Sequence, residues 1–523
     1  MYSPPIFSRR LFIAGAATSA LAAPAIIRAQ SMFREFPFSL GIASGEPSAD
    51  GFVIWTRIAP EPLDPHGGMG MAPMAVQWEV ASDDRFATIV ANGEAIARPE
   101  LAHSVHVEVS GLLPGRPYYY RFIAGGERSF RGQARTLPAA DADITRLKFA
   151  VAGCQNYEDG FFGAYRHLAR EADLAFVYHY GDYIYEYRGS PTGSGFFSGA
   201  LNVPVREVVG QTCMDLGDYR QRYAQCKSDT DLQRAHAAHT FVTSYDDHEV
   251  ANNWVQNIDG ADSNGADPEI FALRRAGAMQ AWYEHMPVRR SSLPRHGTVN
   301  HYRSLRYGRL AEIDVLDTRA YRSDQPCDDG FKPLCDGVDD GAAQVLGQEQ
   351  EAWLARNLSR NSAQWNCLAQ QIMMMSVDRR RRAEEPARII NMDSWAAYEA
   401  PRQRMLARMA GLGNVVVLTG DEHQNFAGEL VHRDAVVAAE FVATSISSGG
   451  DGSDLRSGSD QFIANNGQVK FINDQRGYLT CEVTPEAWQT HYNVVDRVST
   501  QTNQISKRAT ATVAHGEAGL TIS

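Results

Sequence analysis

The sequence has no excess of positive charge and no long hydrophobic run after its N-terminal segment, and each absence excludes a class of protein. Lys and Arg number 50 against 62 Asp and Glu, so the formal net charge is −12. This balance argues against a nucleic-acid-binding surface built on a basic face, although local cations can still bind phosphate substrates. No later segment approaches the ~18 uninterrupted apolar residues of a membrane-spanning helix, so we expect no stable membrane anchor. Internal repeats and low-complexity tracts are also absent.

The first 29 residues are arranged as a secretory signal. Arg9 and Arg10 precede Leu-Phe, a stretch of small and apolar residues, and a plausible cleavage point after Ala29. Twin arginines favour the Tat route, and Gly, Thr, Ser and Pro break the apolar stretch, which makes it a poor anchor. We predict a Tat signal peptide at residues 1–29, use of the Tat export machinery, and a periplasmic or secreted protein. The alternative is an amphipathic first helix with a chance Arg-Arg pair.

Cysteine is sparse, with seven residues in 523. An odd number in an exported protein leaves at least one cysteine unpaired. The stretch "QPCDDGFKPLCDG" is typical of a loop closed by a Cys327–Cys335 disulfide, and Cys213 and Cys226 are a weaker candidate pair. Cys154 lies in neither loop and follows directly after an apolar run, so its role needs another explanation.

The chain changes its pattern near residue 140. Residues 36–138 contain short alternating or aromatic-rich runs between turn signals, which predicts an N-terminal immunoglobulin-like or fibronectin-type β-sandwich. The polar segment 136–146 reads as a linker. Afterwards short apolar runs alternate with helical patterns, as in an α/β fold around a mixed sheet. We place the catalytic domain at residues 144–523.

Four apolar segments predicted to be buried strands each end in side chains that can bind a metal. These side chains are Cys154 after "KFAVAG"; Asp182 and Tyr185 after "LAFVYHYG"; Asp246, Asp247, His248, Glu249, Asn252 and Asn253 after "TFVTSY"; and Asp421 and His423 after "NVVVLTG". Each signal alone is more often a turn, a helix cap or a core residue. Ligands of open α/β sheets, however, bind at the carboxyl ends of strands. The joint occurrence therefore predicts a polynuclear metal site.

Motifs spread from about residue 39 to about residue 480 point to one known family. They are "IASGEPSADGFVIWTRIAP", "GCQNY", "GDYIYEY", "DYRQRYAQCKSD", "YDDHEVANNW", "LDTRAYRSDQPC", "TGDEHQNFAGEL" and "TSISSGGDG". In these motifs the chain resembles a PhoD-type alkaline phosphatase/phosphodiesterase of the metallophosphatase superfamily. The resemblance implies an α/β fold, namely a four-layer αββα metallophosphatase domain preceded by an immunoglobulin-like β-sandwich. It also implies a metal site like that of purple acid phosphatases.

The resemblance assigns an iron site to four of these residues. Superfamily members usually begin with Asp-x-His, and this family places a cysteine there, so Cys154 is expected to be a thiolate ligand. Asp182 would bridge two metals, Tyr185 would bind Fe³⁺ as a phenolate, and His423 would complete the iron's protein ligands. Thiolate, phenolate and imidazole suit a transition metal.

The resemblance also implies a second metal, Ca²⁺, held by Asp421 with Asn252 or Asn253. Carboxylate and amide oxygens suit a hard divalent ion of this kind. The sequence leaves open which asparagine ligates. Many relatives read Trp-Asp-Gly-Tyr where this chain reads Trp395-Ala396-Ala397-Tyr398, so the number of calcium ions is left open as well.

The same resemblance suggests residues for the chemistry itself. A metal-bound hydroxide is expected to attack phosphorus directly, with Arg220 or Arg222 of "DYRQRY" stabilising the equatorial charge. Tyr223 would assist there, His248 would assist the leaving group, and Asp247 would orient the metal ligands. The alternative for "DYRQRY" is an amphipathic helix face with solvated arginines.

These expectations give one leading function and two rivals. The leading function is an exported alkaline phosphatase that hydrolyses small-molecule or lipid phosphate esters. A rival of the same class is a phosphodiesterase or phospholipase D-like enzyme, which differs in the shape of the pocket. A rival of another class is a non-catalytic exported binding protein, which missing metal ligands would support.

Overall fold

The computed structural model describes residues 32–189, 204–260, 267–385 and 387–523. The signal peptide predicted at residues 1–29 lies outside the described residues. The strands of the described part are β1 (Ile42–Ser48), β2 (Gly51–Arg57), β3 (Met74–Ala81), β4 (Ile89–Ala97), β5 (Ser104–Val109), β6 (Pro117–Ala124), β7 (Glu127–Arg128), β8 (Gly132–Arg135), β9 (Leu147–Ala152), β10 (Val177–His179), β11 (Thr240–Thr243), β12 (Arg303–Tyr307), β13 (Ala311–Val315), β14 (Phe331–Pro333), β15 (Trp365–Ala369), β16 (Ile389–Asn391), β17 (Val415–Thr419), β18 (Asn425–His432), β19 (Ala435–Val442), β20 (Val469–Asn473), β21 (Gly477–Val483), β22 (Ala487–Val495), β23 (Ile505–Ala514) and β24 (Thr521–Ile522).

The α-helices of the same described ranges alternate with these strands. They are α1 (Gly163–Leu168), α2 (Leu216–Lys227), α3 (Thr230–Ala238), α4 (Pro268–His285), α5 (Gly347–Arg360), α6 (Glu399–Met409) and α7 (Ser459–Asn465). Helix α2 begins with a capping box, in which the Asp215 side chain accepts from the Asp218 amide and Asp218 caps in return. None of the helices described is long and apolar enough to cross a membrane.

Two large sheets form the centre of the α/β region. The first has the strand order β24-β23-β22-β21-β9-β10-β11-β1-β2-β5, and the second has the order β12-β13-β15-β17-β19-β18-β20. Strands β9, β10 and β11 are parallel neighbours in the first sheet, and β13, β15, β17 and β19 are parallel neighbours in the second. Parallel strands bring their carboxyl ends to one edge of a sheet, where ligands bind.

The two sheets pack face to face between two layers of helices. In β9, Phe149 and Val151 point into the core between the sheets, whereas Ala150 and Ala152 point into the core shared with α1–α4. Strand β17 alternates in the same way between the inter-sheet core and a third core under α5–α7. Strands covered on both faces are apolar throughout, which explains the unbroken "VVVLT" of β17. The predicted four-layer αββα arrangement is confirmed.

The N-terminal β-strands form a sandwich that shares a sheet with the α/β region. A separate five-stranded sheet of β3, β4, β6, β7 and β8 packs through an apolar core containing Phe52 and Tyr120 onto β1, β2 and β5. Strand β1 pairs in parallel with β11, with Ser44 opposite Thr240. The boundary that we predicted between 36–138 and 144–523 falls between β8 and β9, but strand pairing crosses it.

Of the two disulfides considered from the sequence, the structure contains one, and the other pairing is wrong. Cys327 and Cys335 form a disulfide, as predicted. Cys213 and Cys226 are both free and buried. Cys213 precedes α2 and Cys226 lies near its end, so about 15 Å of helix separates them at 1.5 Å per residue. A disulfide needs Cα atoms within about 7 Å.

Candidate metal centre

The four strand ends singled out in the sequence meet in one crevice. Strands β9, β10 and β11 of the first sheet lead into Cys154, Asp182 and Asp246–Glu249, and β17 of the second sheet leads into Asp421 and His423. The two sheets face each other, so their parallel strands deliver these side chains to a common edge. Side chains from all four strand ends line or underlie a single cavity of about 570 Å³.

A tyrosine ring between the sheets explains the glycines that precede the candidate ligands. A Cβ added at Gly153 would lie 2.4 Å from the Tyr180 ring, and one at Gly420 would lie 2.2 Å from it. The Tyr180 hydroxyl donates to the Thr444 carbonyl at 3.0 Å, which fixes the ring. Only glycine therefore fits directly before Cys154 and Asp421.

Five candidate ligands have left-handed backbone conformations, which non-glycine residues adopt rarely. Their φ angles are +50° for Cys154, +54° for Asp182, +54° for Asn253, +66° for Asp421 and +51° for His423. Such conformations persist only where the surroundings hold them, and they cluster at functional sites. The sequence gives no direct sign of this feature.

Four side chains form the inner donor group. Asp182 Oδ2 lies 3.3 Å from Cys154 Sγ and 2.9 Å from Tyr185 Oη, and Tyr185 Oη lies 3.0 Å from His423 Nε2. Ser448 Oγ lies 2.7 Å from Tyr185 Oη, a contact that our sequence reading missed although Ser448 belongs to the quoted motif "TSISSGGDG". The resemblance-based iron set is therefore brought together.

Two further donor groups lie beside the inner one and are linked to it in series. Asp182, Asp247 and His248 form one group, and Asp246, Asp247 and Asp421 form the other, each with ligand atoms within 4.8 Å of one another. Asp182 thus joins the first two groups, and Asp247 joins the last two. We predicted that Asp247 only orients ligands, but its position makes it a candidate ligand.

Burial and like charge shape the titration of the group around Asp182. Burial, reinforced by the charge of Asp247, raises the pKa of Asp182 well above its usual range. Burial and neighbouring carboxylates also raise the pKa of the Cys154 thiol and of the Tyr185 phenol, while burial lowers the pKa of His423 well below its ordinary value. A bound cation reverses this preference for neutral acids, and neutral imidazole is the form that binds a metal.

His248 is held between two carboxylates at the cavity wall. Its Nδ1 lies 2.8 Å from Glu186 Oε2, and its Nε2 lies 3.9 Å from Asp247 Oδ2. Burial opposes its charge, but Asp247 and Glu186 raise the pKa of His248 well above its usual value. It lines the cavity, as a group that assists a leaving oxygen must.

Glu249 organises the backbone that presents the ligands. Its carboxylate accepts from the amides of Asp182 at 3.0 Å, Tyr183 at 2.7 Å and Asp246 at 2.8 Å. It is fully buried, and it ties the loop after β10 to the loop after β11. The sequence signal for this role was its position in "YDDHEVANNW", where a local salt bridge or cap was an equally good interpretation.

Arg319 from "LDTRAYRSDQPC" lies among the acidic residues. Its guanidinium contacts Asp246, Asp393 at 2.7 Å and Asp247 at 3.5 Å, and all four residues are buried. Arg322 pairs with Asp393 from the other side. Arg319 therefore neutralises part of the acidic cluster, while Asp246 Oδ2 has no hydrogen-bond partner among the described residues.

Arg220 and Arg222 do not face the cavity, which corrects our expectation that one of them stabilises phosphate. Arg220 is buried in an ion pair with Glu284. Arg222 donates to the backbone carbonyls of Tyr185 and Tyr187, so it supports the loop that carries a candidate ligand. The solvated helix face that we weighed as the alternative is not observed either, because both side chains lie on the inner side of α2.

Tyr223 does not line the cavity either, although we expected it to assist at the phosphate. Its ring stacks on His285 at a centroid distance of 5.0 Å, and it is fully buried in the core under α1–α4. The arginines that line the cavity instead are Arg379, Arg381 and Arg456. They come from loops without a strong sequence pattern, so nothing in the residue spacing marked them.

Asn252 and Asn253 both line the cavity. The backbone N–H of Asn252 donates to the Glu186 carboxylate at 2.8 Å, and the backbone N–H of Asn253 donates to the Asp247 carboxylate at 2.8 Å. The Asn253 side chain also donates to Asp329, which lines the cavity too. Both asparagines that the sequence offers as the ligand therefore lie beside acidic side chains of the cavity.

Ala396 and Ala397 lie away from the cavity in the apolar core under α5–α7. The acidic residue nearest to them in sequence that enters the cluster is Asp393, which pairs with Arg319 and Arg322. These two alanines supply packing and no donor atoms from their side chains.

Two facing mixed sheets between helical layers, with carboxylate, thiol, phenol and imidazole groups gathered at their carboxyl edges, define a metallophosphatase. Comparison with known proteins agrees with this class. Residues 149–492 match the PhoD-like phosphatase family, and residues 22–138 match the N-terminal domain of PhoD-like phosphatases. Alkaline phosphatase D of Bacillus subtilis (strain 168) is 44% identical over 536 aligned positions, covering 98% of this chain and 89% of that protein.

Solved structures agree with this match. A structure of PhoD superposes with a TM-score of 0.89 at 44% identity, covering 94% of this chain and 92% of that chain. A purple acid phosphatase, PPD1 from yellow lupin (Lupinus luteus) seeds, shares the fold at a TM-score of 0.53 and 12% identity, over 90% of this chain and 74% of that chain. The chain therefore belongs to the PhoD-like phosphatase family, and it is a phosphoric ester hydrolase.

Proposed function

We propose that the protein is an exported, metal-dependent alkaline phosphatase that uses Fe³⁺ and Ca²⁺. The observation that carries the proposal is the position of Asp182. Its carboxylate belongs to two buried donor groups at once, which is the arrangement that a bridging ligand between two metals requires.

The inner group fits Fe³⁺. Cys154, Tyr185 and His423 supply sulfur, phenolic oxygen and imidazole nitrogen around Asp182, and these donors suit a transition metal more than a hard divalent cation. All are buried, and Arg222 and Ser448 fix the backbone and hydroxyl of Tyr185. The chain therefore holds the ligands in place before a metal binds.

The carboxylates of the two further donor groups fit Ca²⁺. From these groups Asp182, Asp247 and Asp421, together with Asn252 or Asn253, offer oxygen donors of the kind that Ca²⁺ prefers. Asp246 Oδ2, which has no hydrogen-bond partner among the described residues, supports a cation beside Asp247 and Asp421, because a buried carboxylate oxygen without a partner is costly.

The metals, when bound, would lower the pKa of a water molecule and neutralise charge on the phosphoryl oxygens. The protein's own residues then do the rest. His248, oriented by Glu186, lines the cavity and holds a proton for the departing oxygen. Burial keeps bulk water away from the donor groups and strengthens their electrostatic contacts.

Export by the Tat route belongs to the same proposal. It is supported by the twin arginines and the following small-residue stretch in residues 1–29. A disulfide between Cys327 and Cys335 agrees with an oxidising compartment.

A phosphodiesterase activity is the second candidate, because the cavity has room for a second ester arm. Its volume of about 570 Å³ is in the range of sites that enclose a small organic molecule, so it exceeds the needs of a phosphate group. A second ester arm therefore fits beside the reacting phosphorus.

The decisive experiment is a visible absorption spectrum of protein purified without added metal, combined with metal analysis and hydrolysis of a simple phosphate ester. We expect a charge-transfer band that disappears in Tyr185→Phe and persists in Tyr187→Phe, a matched control outside the proposed ligand set. A colourless protein with only divalent metal would overturn the iron assignment. Protein that binds no metal and hydrolyses no ester would support the non-catalytic alternative.

A further inference from the structure

The outer part of the cavity has a composition of its own. Strands β14 and β16 pair as a two-stranded sheet, with Phe331 opposite Asn391, and the Cys327–Cys335 disulfide encloses β14. We call Phe331, Arg379, Arg381 and Ile389 the mouth. All four residues line the same cavity as the candidate metal ligands.

The mouth adjoins the metal centre on two sides. Asp329 accepts a hydrogen bond from the side chain of Asn253 and lies two residues before Phe331. At most about 7 Å of chain therefore separates Phe331 from the residue that contacts Asn253. Arg379 pairs with Glu422, which lies between Asp421 and His423 in the chain. A group attached to a phosphorus atom bound at the metal centre therefore reaches the mouth directly.

The surface of the mouth is aromatic and partly open. The Phe331 side chain is 59% exposed, although it lies inside the cavity lining. The Arg379 guanidinium carbon lies 5.8 Å from the Phe331 ring centroid and 6.0 Å from that of Phe462, so it supports both rings. An exposed aromatic face over a polar site is suited to a planar ring of a ligand.

One cation of the cavity is not committed within the protein. Arg379 pairs with Glu422 and Arg456 with Asp474. Glu385 accepts from the Arg381 backbone amide. The Arg381 guanidinium itself is exposed and has no ion-pair partner among the described residues. The mouth therefore has one positive charge available for a ligand.

We propose that the mouth is the binding site for the alcohol portion of the substrate, and that it selects esters whose alcohol is an aromatic ring carrying a second negative charge. The ring stacks on Phe331, and the second anion pairs with Arg381. The proposal rests on the proposed function, since it concerns the same cavity. It assigns selectivity to the mouth and leaves bond cleavage to the metal centre.

The test compares substrates in pairs. The ratio of kcat/KM for phenyl phosphate over ethyl phosphate measures the use of the ring, and the ratio for 4-carboxyphenyl phosphate over phenyl phosphate measures the use of the second charge. Intrinsic reactivity cancels when a variant's ratio is divided by that of the wild type. We expect Phe331→Ala to lower the first ratio about five- to tenfold and Arg381→Gln to lower the second about three- to tenfold.

Matched controls come from neighbouring residues outside the cavity lining. Leu334→Ala removes an apolar side chain that is 48% exposed directly after β14, and Arg382→Gln removes the next arginine, whose partner is Glu385. Both ratios should stay within twofold of the wild type in these controls. Ratios that stay equally constant in Phe331→Ala and Arg381→Gln would overturn the proposal while the enzyme still hydrolyses esters.

A binding measurement keeps the test independent of turnover. Phenylphosphonate and ethylphosphonate cannot be hydrolysed in the same way, so their Kd values can be compared by calorimetry on the purified protein. We expect tighter binding of phenylphosphonate, and loss of that preference in Phe331→Ala but not in Leu334→Ala. Equal binding of both phosphonates to the wild type would overturn the proposal even if hydrolysis itself were absent.

Discussion

The inner end of the cavity and its mouth are built in opposite ways. At the inner end Cys154, Asp182 and Asp421 are buried or nearly so, have left-handed backbones, and follow central strands of the two sheets. At the mouth Phe331 and Arg381 are exposed and lie on a small two-stranded sheet or the loop beside it. Protein surrounds the side chains of the inner end, whereas the exposed side chains of the mouth contact protein on one side and solvent on the other.

The contrast teaches that the two ends have different tasks. Strained and buried side chains persist only where the surrounding structure holds them, and such preorganisation is what chemistry at a metal requires. Exposed side chains on connecting segments tolerate change, and they vary the choice of ligand on a fixed scaffold. The two guanidinium groups of Arg319 and Arg381 illustrate the difference, since one neutralises buried carboxylates and the other faces an open cavity.

The largest expected effect is that of Asp182→Asn at the inner end. The amide keeps the size of the side chain but cannot bridge two cations as a carboxylate does, so kcat/KM should fall by at least about 1,000-fold. Metal analysis of the same preparation should show loss of both metals. Asp141→Asn, an exposed substitution in the 136–146 segment, should leave both quantities unchanged. Retained activity in Asp182→Asn would show that the chemistry does not depend on the inner end, and the comparison of the two ends would fail.

Arg319→Met should have the next largest effect, on stability. It leaves Asp246 and Asp247 in a buried site without their cation, while Asp393 keeps only the cation of Arg322. Breaking a buried ion pair by removing one partner costs about 3–5 kcal/mol, which denaturant unfolding will measure. Arg381→Gln at the mouth should change the free energy of unfolding by less than about 0.5 kcal/mol. Equal stability of the two variants would contradict the comparison.

Glu440 supports the segment leading to the mouth without touching the metal ligands. It accepts from the amides of Met374 and Met375 at 2.6 and 2.7 Å, and burial raises its pKa to about 7 from 4.5. The folded protein therefore binds more protons than the unfolded chain between these values, and stability falls as pH rises from about 4.5 to about 7.

The measurable contribution of Glu440 to that fall is roughly 3 kcal/mol at most. In Glu440→Gln the carboxyl no longer titrates, so this part of the pH dependence should disappear from unfolding curves recorded between pH 4.5 and 7. Glu429→Gln, a carboxylate of neighbouring β18 that pairs with Lys470 near the surface, serves as the control. An unchanged slope in Glu440→Gln would show that the group is not protonated in the fold.

The smallest effect on catalysis is expected for the double variant Cys327→Ser, Cys335→Ser. The disulfide closes a short loop, so its loss should lower the free energy of unfolding by at most about 3 kcal/mol. Because β14 lies within that loop, KM for phenyl phosphate should rise about two- to threefold while kcat stays the same. A fall in kcat without a change in KM would place the loop with the metal centre instead of the mouth.

The inner end could be predicted from the sequence because the signals coincide with strand ends. Apolar segments followed by Gly-Cys or Gly-Asp gave Cys154, Asp182 and Asp421 their common location. Tyr185 and His423 follow the same segments, and family resemblance supplied their roles as iron ligands. The alternation of apolar runs with helical patterns predicted an α/β fold around a mixed sheet, and the family resemblance supplied its four layers.

The mouth and the arginines could not be predicted, for a physical reason. Arg220 and Arg222 stand in a conspicuous motif, yet a helix turns every 3.6 residues, and the sequence does not show that α2 presents both to partners inside the protein. Arg381 comes from a loop and Phe331 from the short strand β14, and the course of both segments depends on tertiary packing. The sharing of one sheet by β1 and β11 joins segments nearly 200 residues apart, which local patterns cannot reveal.

The central claim is that buried side chains around Asp182 hold two different metals. The most direct measurement is a crystal structure of protein purified without added metal, with anomalous diffraction recorded above and below the iron absorption edge. The account predicts one iron peak within bonding distance of Cys154 Sγ, Tyr185 Oη and His423 Nε2, and a second, iron-free cation beside Asp182 and Asp421. A single metal, or an iron peak away from Cys154, would contradict it.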